Sequence, residues 1–263
     1  MTKEVLQNAR RIVVKVGSST LTHANGSMDF RRIEDLVRTL SDLQNAGKEM
    51  ILVSSGAMSV GFARLSQTKE GKTLAQKQAA AAVGQCGLID LYDRLFSEYS
   101  HVIAQILITR DVVENDVRRE NARRTFCTLI ESGVIPVVNE NDTVSYEEIE
   151  FGDNDTLSAH VAHLCHADLL INLSDVDGLY SANPRADENA KLIPHVGEIT
   201  DELYEIAGGA GTVLGTGGMH SKIEAASFAM KHGIPMVITS GADPKNIYRV
   251  LEGDFVGTLF CAK

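Results

Sequence analysis

Two lysines stand where an anion could meet them. Lys15 lies in Val14-Lys15-Val16-Gly17-Ser18-Ser19, among apolar residues near the end of a strand pattern. A lysine there is costly to bury unless an anion meets it; the alternative is a side chain that snorkels to water. Lys222 closes the run Gly215-Thr216-Gly217-Gly218-Met219-His220-Ser221-Lys222. It falls in the first turn of a helix, where free N–H groups also favour anions. Six glycines occupy the 11 residues 208–218, which describes a chain able to bend around a ligand or else a flexible surface loop. The run is not a G-x-x-x-x-G-K-[ST] loop. It is not a dinucleotide fingerprint either, because His220 stands where the third glycine would fall.

Between the lysines lies a dense set of carboxylates and amides, in Asn139-Glu140-Asn141-Asp142-Thr143 and Phe151-Gly152-Asp153-Asn154-Asp155-Thr156. A solvated loop with Asp155 capping the next helix accounts for one residue of that set. The density suits holding an ammonium group, orienting lysines or helping to organise Mg²⁺. Two further segments, Ser54-Ser55-Gly56-Ala57 and Ser174-Asp175-Val176-Asp177-Gly178, end strand patterns of their own. Asp177-Gly178 alone is an ordinary turn. His160, His163 and His166 recur every three residues. They look like a metal ladder, but the first and last lie well apart on a helix and no cysteine or carboxylate pattern completes a site. Cys86, Cys127, Cys165 and Cys261 are scattered without a CxxC spacing, which fits reduced thiols in a cytoplasm.

The elements that must position these residues show a strand-then-helix rhythm. Apolar runs of strand length occupy 11–16, 50–55, 101–108, 134–139, 168–174 and 235–240. Several are β-branched and nearly continuous, as for strands covered on both faces. Helical patterns occupy 29–46, 72–99, 117–132, 155–166 and 219–232. The first has Asp29 as N-cap and Gly47 just past its end; the second has Gly84 and Gly87 as weak points. This alternation predicts a three-layer α/β/α sandwich with a mainly parallel central sheet. Ligands then bind beyond the carboxyl ends of the strands, where the segments above fall.

Composition narrows the function. The 263 residues are 44% hydrophobic and carry 25 Lys and Arg against 35 Asp and Glu, a net charge of −10. An acidic chain is a poor general binder of nucleic acid, which needs cations for its phosphates. No apolar run reaches the roughly 18 residues of a membrane span, and the N-terminus lacks the pattern of a signal peptide. The expectation is a cytoplasmic protein, working with neither nucleic acid nor membrane.

Taken together, the segments resemble the glutamate 5-kinases, a branch of the amino acid kinase family. The marks are VVKVGSS (13–19), SSGAMSVG (54–61), AAVGQ (81–85), PVVNENDTV (136–144), FGDNDTLSA (151–159), LSDVDGLY (173–180), GTGGMHSK (215–222) and VGTLF (256–260). Acetylglutamate, aspartate, uridylate and carbamate kinases share the first lysine and the glycine loop, but not the NEND and GDND pair. A non-catalytic amino-acid sensor on the same fold would not need both lysines.

The resemblance covers essentially the whole chain and implies one kinase domain over 1–263, with 1–165 binding glutamate and 166–263 binding ATP. Many relatives carry a C-terminal PUA domain, which this sequence, stopping soon after VGTLF, is expected to lack. The implied reaction is ATP plus L-glutamate giving ADP plus L-glutamyl 5-phosphate, the first step towards proline. Lys15 and Lys222 would contact the phosphoryl group from opposite lobes, with Asp155 orienting both. Ser55, Gly56, Ala57, Asn139, Asp142, Asp153 and Asn154 would bind glutamate, Asp142 taking its α-ammonium. Lys15, Ser174, Asp175, Thr216, Gly217, Gly218, Met219, His220, Ser221 and Lys222 would bind ATP. Mg²⁺ would be held mainly by ATP phosphates and water. Proline is the implied feedback inhibitor, and a homo-oligomer is the usual state of such enzymes.

Overall fold

The computed structural model describes residues 2–23, 27–68, 70–144, 154–184, 187–208 and 218–262. Its strands are β1 (Arg11–Val16), β2 (Glu49–Ser54), β3 (Ile103–Ile108), β4 (Ile135–Glu140), β5 (Leu169–Ser174), β6 (His195–Val196), β7 (Met236–Ser240) and β8 (Gly257–Phe260). They form one sheet in the order β3-β4-β2-β1-β5-β7-β8-β6. Each neighbouring pair is parallel except β7 with β8. The helices are α1 (Thr2–Asn8), α2 (Ser18–Leu21), α3 (Phe30–Asn45), α4 (Ala57–Arg64), α5 (Leu74–Glu98), α6 (Arg110–Glu114), α7 (Asp116–Glu131), α8 (Asn154–Leu164), α9 (Asp201–Ile206), α10 (Met219–Lys231) and α11 (Asn246–Glu252). The three-layer sandwich expected from the strand–helix rhythm is therefore present.

Alternation along β1 assigns the layers. Ile12, Val14 and Val16 pack with α1, α3, α5 and α11 in one core. Val13 packs with α7, α8 and α10 in the other. Lys15 shares the face of Val13, because strand side chains alternate with period two. That parity aims Lys15 at the layer of α8 and α10.

Local signals set the helix boundaries. The Asp29 carboxylate accepts the Arg32 N–H at 3.2 Å and starts α3. Gly47 follows its end with φ +88°, a left-handed conformation that favours glycine. Thr73 and Gln76 close a capping box at the start of α5.

Gly84 and Gly87 do not weaken α5, which runs unbroken from Leu74 to Glu98. Instead they admit close neighbours. A Cβ on Gly84 would lie 1.7 Å from the Ala57 carbonyl oxygen, and one on Gly61 the same distance from that of Ala80. The backbones of α4 and α5 thus touch, which fixes the first turn of α4 against residue 85. Gly87 lies under the Arg64 side chain.

Two strands carried no readable strand pattern. β6 has two residues, too few for any period, and β8 has four in the antiparallel position beside β7. The helix expected at 155–166 is α8, Asn154–Leu164 among the described residues.

Candidate active site

Asp155 is fully buried in the first turn of α8. It does not cap that helix. Its Oδ1 accepts hydrogen bonds from Lys15 Nζ and, at 2.7 Å, from Asn172 Nδ2. Its Oδ2 accepts from Lys222 Nζ at 2.9 Å and from Ser221 Oγ at 3.1 Å. Lys15 is the next-to-last residue of β1, Lys222 lies in the opening turns of α10, and each is only 5% exposed. Two ammonium groups share one carboxylate, so cations exceed anions by one within this triad. Buried charge of that kind attracts an anion. Lys15 puts the triad near the carboxyl end of β1, where ligands bind in sheets of this type.

The next residue back looks the other way. Asn154 Nδ2 faces Asn139 Oδ1 at 2.8 Å, Ser55 Oγ at 2.9 Å and the Ser54 carbonyl at 3.1 Å. Asn139 Nδ2 in turn donates to Gln85 Oε1 at 2.8 Å. The amides are thereby locked in orientation, each by a partner from a different element. Beside them Gly56 takes φ +105° to turn β2 sharply into α4, so the amides opening at Ala57 lie next to Ser55. Tyr92 supports this turn from the core, its hydroxyl 2.9 Å from Ser54 Oγ.

Asp142 stands in the turn after β4, three residues beyond Asn139. Burial, and next the charge of Glu140, push its carboxyl up to about 6. A carboxylate so destabilised gains from a cationic partner.

A cleft of about 420 Å³ opens beside Lys222. Asp175, Gly218 and Met219 line it, together with Leu179, Tyr180 and Ile206. Ser174 ends β5 at its rim and donates to Asp175 Oδ1 at 3.1 Å. Gly178 is more than a turn residue: its missing Cβ leaves room for Thr258 and Leu192. The Thr258 hydroxyl takes the Leu179 N–H at 2.8 Å, tying the cleft wall to β8. The His220 ring packs on Tyr204, the centroids 5.4 Å apart. Asp153, Thr216 and Gly217 lie outside the described residues.

The histidines at 160 and 163 form no ladder. His160 stacks on Phe228 at 4.1 Å and His163 on His232 at 4.1 Å. Burial first, then the neighbouring His163 and His232, drive His160 down to about 4. Among the described residues, no group of three or more His, Cys, Asp or Glu is arranged to hold a metal ion.

Of the residues the site uses, Asn172, Gln85 and Ser54 were not singled out as candidates. Asn172 alone left a readable trace, as the one polar side chain inside Leu169–Leu173. Gln85 reads as one more polar position on a long helix.

Comparison with known proteins follows the same lines. The model of the amino acid kinase family matches residues 10–240. A glutamate 5-kinase of Clostridium perfringens is 51% identical over 265 residues, which cover 99% of this chain and 98% of that protein. One from Carboxydothermus hydrogenoformans is 53% identical over 262 residues, 99% of this chain and 70% of that longer protein. Among solved structures, a UMP kinase from Bacillus anthracis aligns with a TM-score of 0.68 at 15% identity, over 96% of each chain. That likeness speaks for the fold alone.

Proposed function

The chain belongs to the amino acid kinase family, in its glutamate 5-kinase branch, and we propose that it transfers the γ-phosphoryl group of ATP to the side-chain carboxylate of L-glutamate. The observation that carries this reading is Asp155 buried between Lys15 and Lys222, with Lys222 also lining the 420 Å³ cleft. The glutamate carboxylate is ionised at neutral pH, so the acceptor needs no strong general base. The obstacle is electrostatic, an anion approaching an anionic phosphoryl group. Catalysis is then positioning and charge stabilisation.

Lys15 and Lys222 meet the charge of the phosphoryl oxygens, and Asp155 holds their spacing without neutralising both. Mg²⁺ supplies further charge neutralisation on the ATP phosphates. The donors suit that arrangement, since Asp155 is engaged by the two lysines and Asp175 is the exposed carboxylate on the cleft wall. Ser55, the Gly56–Ala57 turn, Asn139 and Asn154 hold the body of glutamate, with Asp153 a further partner. Asp142 pairs with its α-ammonium. Ser174, Asp175 and residues 216–222 hold the nucleotide, His220 through its backbone.

We assign the whole of 1–263 to this one kinase domain, with proline as an inhibitor at the glutamate site and the enzyme working as a homo-oligomer in the cytoplasm. The direct test is ATP consumption across amino acids, with the labile acyl phosphate trapped by hydroxylamine. L-Glutamate should give the hydroxamate, and N-acetyl-L-glutamate, lacking the ammonium, should be turned over at least about 100-fold less efficiently. Comparable kcat/KM for both would overturn the assignment.

A further inference from the structure

We infer that Asn172 is a positioning residue for phosphoryl transfer, one that anchors Asp155 from beneath while the two lysines act on the reacting charge. It deepens the function just proposed and rests on it.

Asn172 is fully buried on β5. Its register partners are Lys15 on β1 and Ile238 on β7, and beyond Lys15 comes Val53 on β2. Paired residues of parallel strands point to the same face. Position 172 therefore belongs to a row otherwise filled by buried aliphatic residues and the catalytic lysine. Packing alone asks for Leu or Ile there. An amide in such a place is unfavourable unless it is hydrogen-bonded.

It is bonded at one end only. Nδ2 donates to Asp155 Oδ1 at 2.7 Å, while Oδ1 is buried and has no partner among the described residues. A side chain kept for core stability would not leave one half of its amide unsatisfied. What the amide supplies is a neutral donor fixed to the central strand. Lys15 and Lys222 must serve both Asp155 and the phosphoryl oxygens, so their hold on the carboxylate weakens as charge develops on the transferring group. The Asn172 donor carries no charge and is not drawn away. It keeps Asp155 in place through the transition state.

The test compares two variants of the full chain. Asn172→Leu fills the aliphatic row and removes both the donor and the unsatisfied oxygen. Melting should be unchanged or higher, and KM for glutamate should stay within about 3-fold, while kcat falls at least about 10-fold. A fall in kcat at nearly constant KM is a split that a purely structural residue would not cause. Asn172→Asp keeps the shape but adds a second carboxylate beside Lys15, Asp155 and Lys222. It neutralises the excess cation, and kcat should fall further, at least about 100-fold. If the Leu variant does not fold, the isosteric Asp variant carries the test alone. A folded variant of either kind with kcat within about 3-fold of the unsubstituted enzyme removes Asn172 from the mechanism. Unsubstituted chain without glutamate-dependent turnover overturns the proposed function, and this role with it.

Discussion

Asn154 and Asp155 are consecutive at the start of α8, yet they serve opposite sides of the site. Asn154 faces Ser55 and Asn139, while Asp155 faces Lys15 and Lys222. One helical turn therefore couples the Ser55–Asn139 side to the Lys15–Lys222 side, and the relative position of the two depends on a single peptide unit.

The lysines give the first prediction. Lys15→Ala and Lys222→Ala should each lower kcat by at least about 100-fold while the chain stays folded, because each removes a preorganised charge from a buried site. Steady-state rates with circular dichroism on the same samples make the measurement. Near-normal turnover in either folded variant would take that lysine out of the reaction.

Asp142 sets a pH dependence. Its carboxyl, pushed up to about 6 by burial and by Glu140, is ionised above that pH and protonated below it. Only the ionised form pairs with an α-ammonium. As pH falls through about 6, kcat/KM for glutamate should drop, approaching tenfold per unit, with KM carrying the loss. Asn at this position (D142N) should flatten that limb and raise KM at pH 8. An unchanged profile in D142N would assign the limb to another group.

The contact of α4 with α5 leaves no space for a side chain at position 84. Gly84→Ala puts a methyl group 1.7 Å from the Ala57 carbonyl oxygen unless the helices separate. The expected cost is about 3 kcal/mol, or roughly 6 to 12 °C in Tm. Separation also shifts Gln85 and the Gly56 turn, so KM for glutamate should rise in the folded fraction. Calorimetry and kinetics on one preparation test both halves, and a variant that melts with the parent contradicts the packing argument.

Proline is predicted to compete with glutamate. It keeps an α-carboxylate and a cationic nitrogen, and its ring traces the glutamate side chain, but it has no carboxylate to receive a phosphoryl group. At saturating ATP it should raise the apparent KM for glutamate and leave kcat unchanged, since each ligand excludes the other. A fall in kcat at constant KM would place proline outside the glutamate site.

Sequence alone determined the sheet's central strands and most long helices, because their periodicity is carried by six or more consecutive residues. It also marked both lysines, through their improbable neighbours, and the density of carboxylates and amides between them. It did not determine what Asp155 does. Cap and lysine partner are equally legible locally, and only the packing of α8 and α10 on the face of Val13 and Lys15 brings Lys222, 67 residues away, to 2.9 Å. Gly84 misled for a related reason. A glycine within a helix reads as weakness until the carbonyl crossing over it is known. Asn172 and Gln85 gained their meaning in the same way, from partners 17 and 54 residues distant. Period and composition are properties of neighbours in the chain, whereas a shared carboxylate is a property of neighbours in space, and the tertiary fold alone decides which those are.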